Sequence, residues 1–94
     1  MDTRQIEYII AIAEEKTLSR AAERLFISQS ALSQLLSNLQ AEGLPPLFYR
    51  QKGEMLLTDA GKIYVNGARI VMKICEDTEE ALDKLRNAGT ETPL

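Results

Sequence analysis

The sequence predicts a mainly α fold: three helices, a two-stranded hairpin and one long fourth helix. Three observations carry that expectation. Apolar residues recur at helical spacing in three blocks ahead of the breaker run "EGLPP" at residues 42–46. The pattern turns strand-like on either side of Gly53. Helical spacing then resumes at residue 59 and continues to about residue 87.

The first block, "TRQIEYIIAIAEEK", sets Ile6, Ile9, Ile10 and Ala13 at i, i+3, i+4 and i+7, the stripe of a core-facing helix over about residues 3–15. The second, "TLSRAAERLF", offers Thr17 or Ser19 as an N-cap. Leu18, Ala21, Ala22 and Leu25 form its apolar stripe, and Arg20 and Arg24 face outward. Ser28 caps the third helix, "SQSALSQLLSNLQ", which turns Leu32, Leu36 and Leu39 inward and Ser30, Ser33, Gln34 and Ser37 outward. That outer face forms hydrogen bonds but carries no charge. An ordinary solvated helix face carries Lys and Glu in supporting i,i+4 pairs.

In "LFYRQKGEMLLT", residues 47–58, Leu47, Phe48 and Tyr49 precede a turn at "QKGE", and Met55, Leu56 and Leu57 follow it. Gly53 supplies the permissive backbone of this hairpin. Thr58 caps the last helix, with Asp59 favourably placed at its positive end. At 1.5 Å per residue that helix is about 43 Å long. A small core cannot cover all of it. Ala60, Tyr64, Gly67, Val71, Ile74, Thr78, Ala81 and Leu85, flanked by Ile63, Ile70 and Leu82, form a heptad-like seam that is imperfect at Gly67 and Thr78. The first two turns are expected to pack on the chain's own helices, and residues 70–85 on a second copy. The end of the chain, "NAGTETPL" from Asn87 on, loses the pattern, and residues 88–94 read as a flexible tail.

Two helices joined by about three residues, the second with a polar outer stripe, have the form of a helix-turn-helix, and a hairpin directly after them forms a wing. This fold class gives the uncharged face a purpose. A helix in the DNA major groove meets base edges that mix donors and acceptors; Gln can bond adenine in two places, and Ser tolerates several partners. Arg50 and Lys52 suit phosphate contact from the wing, which Glu54 opposes.

Composition sets the alternatives. The chain has 94 residues, one cysteine and no histidine, so Cys75 has neither an internal disulfide partner nor a His to share a metal with. Cys75 is expected to be a small buried or interface hydrophobe. No phosphate loop, nucleophile elbow or paired-carboxylate cleft supports catalysis, and no cofactor is expected. No apolar run approaches a membrane span and no secretory pattern opens the chain, so a soluble cytoplasmic protein is expected. The formal net charge of −3 argues against a generic nucleic-acid coat. Local charge points the other way: Arg20, Arg24, Arg50 and Lys52 are expected on a DNA face, while acidic residues crowd "EDTEE" at residues 76–80.

The run "RQIEYIIAIAEEKTLSRAAERLFISQSALSQLLSNLQAEGLPPLFYRQKGEMLLTDAGKIY" resembles, without gaps, the N-terminal DNA-binding domain of LysR-type bacterial transcriptional regulators. The resemblance covers about two-thirds of the chain, and its discriminating part is "SRAAERLFISQSALSQ" followed by "LF", Arg50 and "LTDAG". It implies a winged helix-turn-helix over residues 1–58 and a linker helix over 59–87 that pairs antiparallel with a second copy. It implies that Gln29, Ser30, Ser33 and Gln34 face the major groove and that Thr17, Ser19 and Ser28 meet phosphates. Arg20 and Ser37 are assigned to the DNA backbone with them, and the wing around Arg50 and Lys52 to the backbone or minor groove. The expected dimer seam is Tyr64, Gly67, Val71, Ile74, Thr78, Ala81 and Leu85. Such regulators carry a second, larger domain, so a small-molecule effector is expected to act only through a part absent from these 94 residues.

Several positions depart from the family pattern. Ser30 stands where proline is common, Gln34 where arginine is common, and Leu35 where the family is often polar. The usual "ELG" is "EGL" and the usually basic wing tip is "KGE". These changes predict weaker, more salt-sensitive binding, or a need for two dimers side by side. Loss of the cation at Gln34 predicts a shift of preference toward adenine. Two functions follow: a dimeric reader of an inverted-repeat operator, or a dimerisation or protein-interaction module that has lost strong DNA binding.

Overall fold

Capping fixes where each helix starts. A computed structural model of the chain describes residues 2–89, and within it the elements run α1 (Thr3–Glu15), α2 (Leu18–Leu25), α3 (Gln29–Ala41), β1 (Phe48–Gln51), β2 (Glu54–Leu57) and α4 (Asp59–Asn87). Asp2, Thr17, Ser28 and Thr58 sit in extended backbone, and each side chain accepts a hydrogen bond from the amide three residues on, at Gln5, Arg20, Ala31 and Gly61. Of the two caps the sequence allows for α2, Thr17 is the one used. Residues 90–94 of the expected tail lie outside the described residues.

The core is built around α1. Ile6, Ile9, Ala11 and Ile12 are buried, a wider arc than the four-residue stripe the sequence suggests, and Ile10 and Ala13 pack at its margin. The arc is wide because α1 is covered by α2 and by α4, and touches β2 as well. Leu18, Ala21 and Ala22 from α2 and Leu32 and Leu39 from α3 complete the centre. Phe26 ends α2 with a left-handed backbone, φ 57°, and its amide closes on the Ala22 and Glu23 carbonyls. Residues 26–28 are then enough to redirect the chain into α3. The Phe26 ring points to solvent and is 95% exposed.

The two strands pair antiparallel, with Phe48 opposite Leu57 and Gln51 opposite Glu54. The tip is the two-residue turn Lys52–Gly53, with φ 51° and 80°, the positive pair that matches strand twist. Met55 is buried, and its amide donates to the Lys16 carbonyl at 2.6 Å, so β2 is fastened to the turn that starts α2.

Helix α4 leaves the body along the long axis of a molecule of 53 × 25 × 21 Å. Gly61, Tyr64, Val65 and Ala68 are buried in its first three turns. At Gly61 the packing admits no side chain, since a Cβ there would lie 2.0 Å from the Leu47 carbonyl oxygen. Tyr64 requires a correction: it faces the chain's own core and is 8% exposed, so it is not an open seam position. The inward stripe is 61, 64, 65 and 68, which turns Ile63 outward in its place. Beyond Ala68 the apolar residues Ile70, Val71, Ile74, Leu82 and Leu85 are all exposed. Cys75 is half-buried.

Candidate nucleic-acid interface

Helix α3 holds its inward face with Leu32 and Leu39, supported by Leu35 and Leu36 at the margin. The opposite face is thereby presented outward. Gln29, Ser30, Ser33, Gln34 and Ser37 are all exposed on it, at the spacing of a single helical face. Ser28 is partly occupied: its Oγ accepts from the Ala31 amide at 3.1 Å and lies 3.2 Å from the Ser30 Oγ. Either hydroxyl of that pair can be the donor, which leaves the hydrogen of the other able to donate outward. Gln29 makes no side-chain hydrogen bond among the described residues. Gln34 does, its Nε2 donating to the Asn38 Oδ1 at 2.9 Å. Asn38 was not among the residues singled out from the sequence, although the i,i+4 spacing from Gln34 was there to find it.

The start of α2 lies next to the wing through the Met55 to Lys16 bond. That groups Thr17, Ser19 and Arg20 with the strand pair that carries Arg50 and Lys52. The Thr17 Oγ1 caps Arg20 at 3.1 Å, and Ser19 and Arg20 are exposed. Arg50 sits on β1 opposite Met55, and Lys52 is at the turn.

Charge is distributed unevenly, and the ion pairs sharpen the difference. Among the described residues the ion-paired cations are Arg24, Arg69, Lys73, Lys84 and Arg86. Arg20, Arg50 and Lys52 enter no ion pair there. Arg24 therefore needs a correction. Its Nη1 lies 2.8 Å from the Glu14 Oε1 and 3.2 Å from the Glu15 Oε2, and the Glu14 Oε2 lies 2.7 Å from the Arg69 Nη1. Arg24 thus braces α2 against α1 and is removed from the free cations. Glu14 joins three helices. The hydrogen bond from Arg69, and next that from Arg24, holds its carboxyl below the ordinary value of 4.5. The Arg24 guanidinium is correspondingly raised, chiefly by Glu14.

The acidic total also has a location. Residues 76–87 contain Glu76, Asp77, Glu79, Glu80 and Asp83 against Lys84 and Arg86, a net −3 that equals the balance of the whole chain. The rest of the chain is formally neutral. The charge that argues against nucleic acid thus sits in distal α4, away from α3 and the wing.

Three helices with a polar third, a hairpin fastened beside the start of the second, and free cations on both define a winged helix-turn-helix nucleic-acid-binding domain. Residues 3–62 match the family described as bacterial regulatory helix-turn-helix protein, lysR family. The chain belongs to that family, whose members are transcription regulators and not enzymes. It is 40% identical over 88 residues to a probable RuBisCO transcriptional regulator of Emiliania huxleyi, covering 92% of this chain and 28% of that protein. Among solved structures it is similar to the CbnR DNA-binding domain in complex with DNA, with TM-score 0.77, 30% identity, and 95% and 99% of the two chains covered. It is likewise similar to the BenM DNA-binding domain with the benA site 1 DNA, with TM-score 0.81, 25% identity, and 90% and 99% covered. The chain spans 24–29% of the length of the curated relatives it matches. A DNA-binding regulator domain is the function these likenesses support; an interaction module without DNA binding draws nothing from them. Among the described residues no helix is long and apolar enough to cross a membrane.

Proposed function

We propose that this chain reads double-stranded DNA as a homodimer, setting α3 of each copy into the major groove of one half of an inverted repeat. The observation that carries the reading is the exposed, uncharged hydrogen-bonding face of α3. Gln29, Ser30, Ser33 and Gln34 would contact base edges. Thr17, Ser19, Arg20, Ser28, Ser37, Arg50 and Lys52 would contact the backbone, fixing register without carrying sequence information. The similar CbnR and BenM domains are found in complex with DNA, which supports DNA as the partner.

The dimer would form along residues 59–87, with Val71, Ile74, Thr78, Ala81 and Leu85 at the seam. Gly67 would admit the partner closely, since nothing lies within 4 Å of a Cβ there. Tyr64, buried against the chain's own core, would take no part in the seam. Such a role belongs in the bacterial cytoplasm, where the chromosome is, and any small-molecule effector would act through sequence beyond these residues.

The test is a fluorescence-anisotropy titration of the chain on a duplex enriched from a randomised pool and on its scrambled counterpart, at about 50 and 200 mM salt. Tighter binding to the enriched duplex, falling steeply with salt on both, is the expected result. Equal affinity for the two duplexes would remove the base-reading role of α3.

A further inference from the structure

The two glutamines on the reading face are held differently. Gln29 makes no side-chain hydrogen bond among the described residues, whereas the Gln34 Nε2 donates to the Asn38 Oδ1 at 2.9 Å. Both residues of that pair are exposed on α3, one turn apart. A free glutamine gives up rotamer entropy when it docks on a base, and a tethered one has given up part of it already.

The direction of the bond matters as much as its presence. A carboxamide has two N–H donors and one acceptor oxygen. With one N–H committed to Asn38, Gln34 keeps one donor and its Oε1. In the major groove adenine presents the N7 acceptor beside the N6 amino donor, the complement of that remaining pair. Guanine presents two acceptors, N7 and O6, and would need both N–H groups of Gln34.

We infer that Asn38 is a specificity-determining residue that need not touch a base: by accepting an N–H from Gln34 it fixes the Gln34 carboxamide in the orientation that reads adenine. It is a positioning residue, and the inference rests on the DNA-reading role proposed above. It assigns a function to a residue whose side chain the core does not use, and it explains how an uncharged residue at position 34 discriminates between bases.

The experiment enriches duplexes from a randomised pool on the chain itself and on the variants Gln34→Ala, Asn38→Ala, Asn38→Asp and Gln34→Ala/Asn38→Ala, and compares base preference position by position. The parent is expected to prefer adenine at one position in each half-site, and Gln34→Ala to lose that preference. Asn38→Ala should reduce it roughly threefold to tenfold at that position alone, leaving the positions set by Gln29 and affinity for random duplex unchanged. Alanine favours helix over asparagine, so unfolding would not explain the loss. Asn38→Asp, which can only accept, should keep adenine preferred. The double variant should match Gln34→Ala, because Asn38 acts only through Gln34. An unchanged profile for Asn38→Ala, additive losses in the double variant, or a guanine preference set by Gln34 would overturn the inference while leaving DNA reading intact. A parent that enriches no motif would overturn both.

Discussion

The body of the molecule and the distal half of α4 carry apolar residues at the same helical spacing, yet they differ in what covers them. In the body, Ile6, Ile9, Ile12 and Leu32 are sealed by four helices and the hairpin. In distal α4, Ile70, Ile74 and Leu82 are each 60% exposed or more. Periodicity reports that a helix has an apolar face. It does not report whether that face is covered by the same chain or by another. The contrast also divides the chemistry, because distal α4 carries the acidic excess and the body carries the cations without ion pairs.

The largest expected effect breaks the body side of the contrast. Gly61→Ala, normally favourable in a helix, should here destabilise the fold by about 3 kcal/mol, because the new methyl meets the Leu47 carbonyl. Helix α4 cannot retreat without losing the Thr58 amide bond to the same oxygen, at 3.0 Å. Urea unfolding measures this, and a variant as stable as its parent would mean that α4 packs less closely on residue 47.

The distal side is broken by Ile74→Glu. A residue 60% exposed in the single chain should tolerate the change with a loss of stability under about 0.5 kcal/mol. Self-association should weaken by at least about tenfold, as a charge enters an apolar seam. Sedimentation of parent and variant separates the two effects. A variant that dimerises like its parent would move the seam elsewhere.

The smallest effect sharpens the boundary between the regions, where Glu14 bridges Arg24 and Arg69. A carboxyl whose folded pKa is lowered stabilises the fold above the ordinary 4.5 and loses that contribution as pH falls through the lower folded value. These side chains are 37–50% exposed, so solvent screening limits Glu14→Gln to a loss of about 0.5–1 kcal/mol near pH 7. The difference from the parent should narrow as pH drops below 4.5. A gap that stays constant with pH would mean that the carboxylate charge is not what joins the helices.

What the sequence could reveal depended on how far each interaction reaches along the chain. The caps at Thr17, Ser28 and Thr58 and the turn at Gly53 are local, and the element boundaries follow from them. Ile63 and Tyr64 were harder, because two stripes one residue apart both satisfy the spacing and only the position of α1 selects between them. Arg24 reads as a free cation until α1 folds beside it and brings Glu14, ten residues upstream, within reach. The need for glycine at position 61 is equally non-local, since the obstructing atom belongs to Leu47. The face of α3 was legible as a hydrogen-bonding surface, but the bond from Gln34 to Asn38, though only four residues long, depends on rotamers that composition does not specify.

The central claim is that the exposed face of α3 reads base sequence, and Gln29 offers the most direct measurement because its exposed side chain makes no hydrogen bond among the described residues. Gln29→Ala should weaken binding to an enriched duplex by about 1–3 kcal/mol and relax preference at one base pair, with affinity for scrambled duplex nearly unchanged. Equal losses on the two duplexes would contradict the claim and reduce α3 to a backbone contact.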